Sequence, residues 1–163
     1  MMGKHEIIAM LDAKGIQHEI VEHVAVFTIE DMLAANLPHP ETIAKNLFVR
    51  DDKKRNYYLI TVREEKSVNL KQFAEQYGTR KLSFASENDL MEILGLVKGA
   101  VTPFGLLNDS EHRVKLYMDR DFEGGSLGIH PNDNTATVWL QATDLLVLLQ
   151  EAGCQTERLY PLA

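Results

Sequence analysis

The stretch NLFVRDDKKRNYYLITVR, residues 46–63, decides the architecture. Asn46 to Arg50 and Tyr57 to Arg63 are rich in branched and aromatic residues, which suit a pleated, half-buried surface. Between them lies DDKKRN, charged throughout and short enough to join antiparallel neighbours. The region therefore predicts a β-hairpin with a charged tip.

Toward the N-terminus, residues 4–14 place Ile7, Ile8 and Leu11 on one helical face, and Gly15 is a natural stop. HEIVEHV, 18–24, alternates as a strand does. Thr28 with Asp31 reads as a capping pair opening a short helix in TIEDMLAAN, and NLPHP, 36–40, reads as a loop. Toward the C-terminus, Asn69 caps a helix through Tyr77 that Gly78 ends, and KLSFA, 81–85, is a short strand. Ser86 and Asp89 open a helix that stops at Gly95. VKLYMD, 114–119, and TATVWLQ, 135–141, have the apolar content of central strands, with the Gly-rich DFEGGSLGIHPND as a long connection between them. Thr143 is the expected cap of a last helix burying Leu145, Leu146, Leu148 and Leu149. Irregularly alternating helices and strands with hairpins predict an α/β chain, α+β in character, whose mixed, mostly antiparallel sheet is surrounded by helices.

The 163 residues suffice for one domain, 1–163, and 45% apolar with 25% charged content is ordinary for a soluble chain. No apolar run is long enough to span a bilayer. Glu6 and Asp12 interrupt any signal-peptide core, and the one cysteine, Cys154, has no partner for an internal disulfide; a cytoplasmic location is expected. Net charge is −7, which argues against broad binding to duplex nucleic acid. The charge is unevenly spread, however. Residues 45–81 hold ten Lys/Arg and five Asp/Glu, whereas the remainder holds seven and nineteen. A basic segment of this kind suits a solvated hairpin tip or a few phosphate contacts.

Common catalytic signatures are absent: there is no GxSxG, Walker loop or GxGxxG, and His5, His18, His23, His39, His112 and His130 lack the spacing of a zinc site. Three features remain. Lys45, in ETIAKNLFVRD, stands where a polar stretch becomes an apolar strand, as a surface lysine or as the grip on a ligand. GAVTPFG, 99–105, sets two glycines and a proline in an apolar run. It is either a buried tight turn or a stiffened loop whose amides reach an oxyanion. His130 precedes Pro131 in a loop leading into a core strand, and histidine titrates near neutrality. Cys154 reads as structural.

Taken in order, Lys45-Asn46-Leu47, Gly99-Ala-Val-Thr-Pro103-Phe-Gly105 and His130-Pro-Asn-Asp-Asn-Thr-Ala-Thr resemble the bacterial prolyl-tRNA editing family, the YbaK/ProX-type deacylases. The resemblance runs over nearly the whole chain and is closest to free-standing members that deacylate alanyl-tRNA(Pro). It implies a barrel-like sheet and hydrolysis of an amino acid mistakenly esterified to the 3′ end of tRNA(Pro), without metal or organic cofactor. Lys45 matches the family's essential lysine, Gly99 to Pro103 its G-x-x-x-P loop and His130 its histidine. Asn46 is a neighbour of the site. Candidate pocket and loop residues are Val26, Phe27, Thr28, Ala100, Val101, Thr102, Pro103 and Phe104. Arg50, Lys53, Lys54 and Arg55, with Arg80 and Lys81 as a second set, are candidates for acceptor-stem phosphates. Expected partners are the tRNA(Pro) acceptor end and prolyl-tRNA synthetase, with no membrane. The alternatives are a deacylase for cysteinyl- or seryl-tRNA, and a non-catalytic tRNA- or synthetase-binding module.

Overall fold

The computed structural model describes residues 1–162, apart from the side chain of Ile29; residue 163, the last of the expected domain, lies outside the described residues. The hairpin is present as β2 (Ala44–Asp51) and β3 (Tyr57–Arg63), paired antiparallel from Ala44↔Arg63 to Arg50↔Tyr57. Buried Asp51 builds the tip by accepting the Arg55 amide and the Asn56 side chain, at 3.0 and 2.7 Å. These bonds, more than the local charges, hold the Asp51 carboxyl below its usual range against the burial that raises it.

β2 and β3 belong to a five-stranded sheet with β4 (Leu82–Phe84), β5 (Val114–Asp119) and β8 (Gln155–Leu159), in the order β4-β2-β3-β5-β8. β3–β5 and β5–β8 are parallel. β1 (His18–Glu22), β7 (Ala136–Gln141) and β6 (Ser126–Ile129) form a second, wholly antiparallel sheet, with β7 in the centre. Four of the six strand pairings are thus antiparallel, in agreement with the expected mixed sheet. A parallel bridge between Ile43 and Gly128 brings the two sheets together at one edge.

The helices follow their local signals. α1 (Lys4–Ala13) buries Ile7 and Leu11, four residues apart on one face, and Gly15 at φ +65° turns the chain away. Thr28 accepts the Asp31 amide and opens α2 (Ile29–Ala34). Asn69 accepts the Gln72 amide and opens α3 (Leu70–Tyr77), which stops at Gly78 in the left-handed region. α4 (Glu87–Asp89) starts at Ser86 and widens into a π-helical turn, Leu90–Leu94. α5 (Ala142–Glu151) departs from expectation: Thr143 is its second residue and caps nothing. The helix grows directly out of β7, with the Ala142 amide donating to Gly125 O at 3.0 Å, so a loop with a side-chain cap is unnecessary.

Two strands escaped the sequence reading. β6 lies inside the Gly-rich connection, where Gly128 faces Trp139 so closely that a Cβ would fall 2.7 Å from the indole nitrogen. β8 is a polar edge strand, QTERL, paired among the described residues with β5 alone. The main core includes Phe48, Leu59, Leu116, Phe104, Leu127 and Leu145. A second cluster, with Val49, Ile60, Val62 and Phe73, fills the space under α3. No helix among the described residues is long and apolar enough to cross a membrane.

Candidate active site

The edge where the two sheets meet encloses a cavity of about 180 Å³, smaller than typical drug-sized sites and so suited to a small group. Ile43 and Gly128, the bridging pair, form part of its wall. Of the candidates read from the sequence, Val26, Phe27, Thr28, Lys45, Asn46, Gly99, Val101 and His130 line it. They come from four segments distant in the chain.

Lys45 and Asn46 are consecutive on a strand and must leave the sheet on opposite faces. Asn46 faces inward opposite buried Thr61, whose hydroxyl donates to Asn46 Oδ1 at 2.6 Å. That bond fixes the amide and leaves its NH₂ free to donate. Lys45 faces the other way, opposite Val62, and its ammonium donates to Lys66 O in the turn after β3. Lys66 is itself anchored to Asp119 at 2.6 Å and to Asp121. An ammonium has three donors, so the carbonyl orients Lys45 and leaves two.

The 99–105 loop is held from both sides. Thr102, fully buried, donates its hydroxyl to His130 O at 2.6 Å. Gly99 sits at φ +90°, packed so tightly against residues 26–27 that a Cβ would lie 3.1 Å from the Phe27 ring and 3.2 Å from Val26 O. Asn134 clamps that segment by donating to Val26 O at 2.9 Å and accepting the Val26 amide at 3.2 Å. The Gly99 and Val101 amides make no hydrogen bond among the described residues, while the Ala100 amide donates to Val97 O at 3.1 Å. Of this loop, Gly99 and Val101 thus line the cavity with amides that have no partner among the described residues. Ala100, Thr102, Pro103 and Phe104 do not line the cavity. All four are buried, and Phe104 is part of the main core, because Pro103 starts a 3₁₀ turn (Pro103–Asn108) that dives inward. Phe104, expected as a wall, is core instead, and Thr102 ties the loop to the His130 segment.

His130 Nδ1 lies 2.8 Å from Ala136 O. A carbonyl only accepts, so Nδ1 carries the proton and Nε2 of the neutral ring bears a lone pair. Burial holds the imidazole below its usual range and the charge of His23 adds to this, against the opposing pull of the Ala136 bond and Asp133. His23 stands beside it, ring centroids 6.1 Å apart, with Nε2 2.9 Å from Thr137 Oγ1.

The basic candidates are elsewhere. Lys53, Lys54 and Arg55 are exposed at the hairpin tip, about 20 Å along β2 from Lys45 at the rise of a strand. Arg80 is engaged by Asp52 through two bonds, 2.6 and 3.1 Å, and Arg50 lies 3.7 Å from Asp89. Lys81 lies across the strand pair from the tip, in a shallow groove with Lys71 and Glu75. None of the six touches the cavity.

The sequence reading missed Met32, Ile43, Ala44, Glu64, Gly128, Ile129 and Thr137 in the lining. Glu64 had a usable signal, since it follows the strand that pairs with Lys45. The others are apolar or small residues that only the meeting of the sheets brings to the site. Cys154 is buried outside it, 3.6 Å from Leu106 O, and burial pushes its thiol up to about 11. The native protein should therefore resist iodoacetamide at pH 8 and be alkylated only on unfolding, as mass spectrometry with and without denaturant would record.

Comparison with known proteins shows the family. A prolyl-tRNA editing protein, ProX, of Acetoanaerobium sticklandii is 42% identical over 154 residues, covering 94% of each chain. The prolyl-tRNA synthetase associated domain-containing protein 1 of Mus musculus is 38% identical, covering 91% of this chain and 90% of that one. The solved structure of a candidate trans-editing enzyme for prolyl tRNA synthetase shares the fold, with TM-score 0.71, 22% identity and coverage of 97% and 96%. Residues 23–148, which include every segment lining the cavity, match the aminoacyl-tRNA editing domain, and the chain belongs to that family.

Proposed function

We propose that this protein acts as a free-standing deacylase that removes alanine from mischarged tRNA(Pro). The observation that carries the reading is the small cavity whose wall Lys45, Gly99, Val101 and His130 share. At about 180 Å³ it has room for a short acyl group and the ester, while the nucleotide lies at the mouth.

Hydrolysis develops negative charge on the ester carbonyl oxygen. The Gly99 and Val101 N–H groups are fixed donors for that charge, and one such donor is typically worth about 3 kcal/mol of barrier. Lys45, oriented by Lys66 O, supplies a positive charge to the same region or to the terminal ribose-phosphate. A water attacks the carbonyl carbon and gives a proton to His130 Nε2, which is free because Nδ1 is committed to Ala136 O. The bond from the acyl carbon to the ribose oxygen then breaks, and the ribose oxygen takes up the proton from His130 Nε2, which returns the ring to neutral.

Selectivity follows from volume. A site made for proline excludes a smaller residue weakly, since each methylene is worth about 1–3 kcal/mol. A smaller second site reverses the preference. Lys53, Lys54 and Arg55 are kept as phosphate contacts, few in number and therefore weak and sensitive to salt. The names of the bacterial and mouse relatives support tRNA(Pro) and prolyl-tRNA synthetase as partners.

The test is a panel of tRNA(Pro) charged with Ala, Ser, Cys or Pro. Alanyl-tRNA should be hydrolysed fastest and prolyl-tRNA at least about 100-fold more slowly, from two lost methylene allowances. Equal rates on Ala and Pro would refute the size argument. A preference for Cys or Ser would move the substrate within the same chemistry, and retention of tRNA without any hydrolysis would favour a binding module.

A further inference from the structure

An amino acid joined to tRNA through its carboxyl group keeps its α-amino group, which is cationic over much of the neutral range. Bringing that cation into a cavity as small as this one is costly unless it meets an opposite charge. The side chains lining the cavity include three that titrate: Lys45, His130 and Glu64. Lys45 is a cation and repels another. Burial favours the neutral form of His130, against the pull of its bond to Ala136 O. Among the described residues that line the cavity, Glu64 has the one carboxyl group.

The position of Glu64 is set by backbone pairing. Its amide donates to Ile43 O at 3.2 Å, so the chain continues the β2–β3 ladder one step beyond Arg63. By alternation Glu64 leaves the hairpin on the face of Val62, which is also the face of Lys45. It makes no ion pair among the described residues. Burial and then the charge of Glu65 push its carboxyl above the usual range, and Lys45 opposes them only in part. An under-compensated carboxyl group beside a site for a cationic ligand gains when the ligand arrives.

From this arrangement we infer that Glu64 receives the α-ammonium of the esterified amino acid and so selects aminoacyl esters over esters of uncharged acids. Lys45 and Glu64, side by side on one face, then read the two polar ends of the acyl group: developing negative charge at the carbonyl and positive charge at the neighbouring nitrogen. The inference rests on the deacylase reading above.

The test compares alanyl-tRNA(Pro) with lactyl-tRNA(Pro), in which a hydroxyl of similar size replaces the ammonium, for the wild-type protein and for Glu64→Gln and Glu64→Asp. Removing one partner of a desolvated charge pair costs enough for a 30-fold effect or more. Glu64→Gln should therefore lower kcat/KM on the alanyl ester by at least about 30-fold and leave the lactyl ester within about threefold of wild type, with Glu64→Asp recovering part of the alanyl rate. The unchanged lactyl rate would also show that the variant folds. Equal losses on both esters in Glu64→Gln, or no loss on the alanyl ester, would overturn the assignment of Glu64 while leaving the deacylase intact. A wild-type protein that hydrolyses neither ester would overturn both.

Discussion

Lys45→Ala is expected to lower deacylation of alanyl-tRNA(Pro) by at least about 100-fold, with thermal unfolding little changed. The size follows from losing a fixed positive donor at a developing oxyanion, an effect of about 10²–10³ in rate. The mild effect on stability follows from position. Lys45 is only partly buried, and its side chain's one hydrogen bond among the described residues is to Lys66 O in a turn that Asp119 and Asp121 hold through the Lys66 side chain. Its strand neighbours keep all their ladder bonds when the side chain is shortened. Single-turnover hydrolysis and a melting curve check both halves. Near-normal turnover in Lys45→Ala would remove the residue from the mechanism, and a collapsed melting curve would reassign it to the fold.

Gly99→Val should abolish activity and destabilise the protein as well. At φ +90° a branched residue is strained by roughly 1–3 kcal/mol. The new side chain would also press on Val26 O and the Phe27 ring, 3.2 and 3.1 Å from where its Cβ must stand. Val26 is clamped by Asn134 and cannot withdraw without breaking two hydrogen bonds. Gly78→Ala separates the two contributions. Gly78 also has positive φ, at +69°, yet none of the described residues lies within 4 Å of its Cβ position, and it ends α3 away from the cavity. Comparable backbone strain with full activity is expected there. If Gly99→Val retains activity, the amides of this loop do not serve the reaction.

The helices were the most legible part of the fold because their signals are local. Thr28, Asn69 and Ser86 each accept the amide three residues on, and Gly15, Gly78 and Gly95 each take the left-handed turn that other residues avoid. Thr143 failed as a cap because its helix begins inside a continuous run out of β7, where a backbone carbonyl at Gly125 already serves the first amide. β6 and β8 were hidden for different reasons. Four residues with a glycine carry no readable alternation, and a polar edge strand looks like a tail.

For the candidate site, the sequence by itself determined which pieces had the right chemistry: a lysine entering a strand, a glycine-proline loop and a histidine before a core strand. Those depend on residue type and near neighbours, which a linear chain displays. It also fixed the hairpin, because two β-rich runs around a charged tip have one simple way to pair. Only the tertiary structure decided which members of each piece meet. Strand alternation turns Asn46 inward to Thr61 and sends Lys45 to the opposite face beside Glu64. The inward dive after Pro103 removes Phe104 to the core and leaves Gly99 and Val101 at the wall. Convergence of chain segments from residue 26 to residue 137 is set by the packing of two sheets against each other, and no local spacing encodes it.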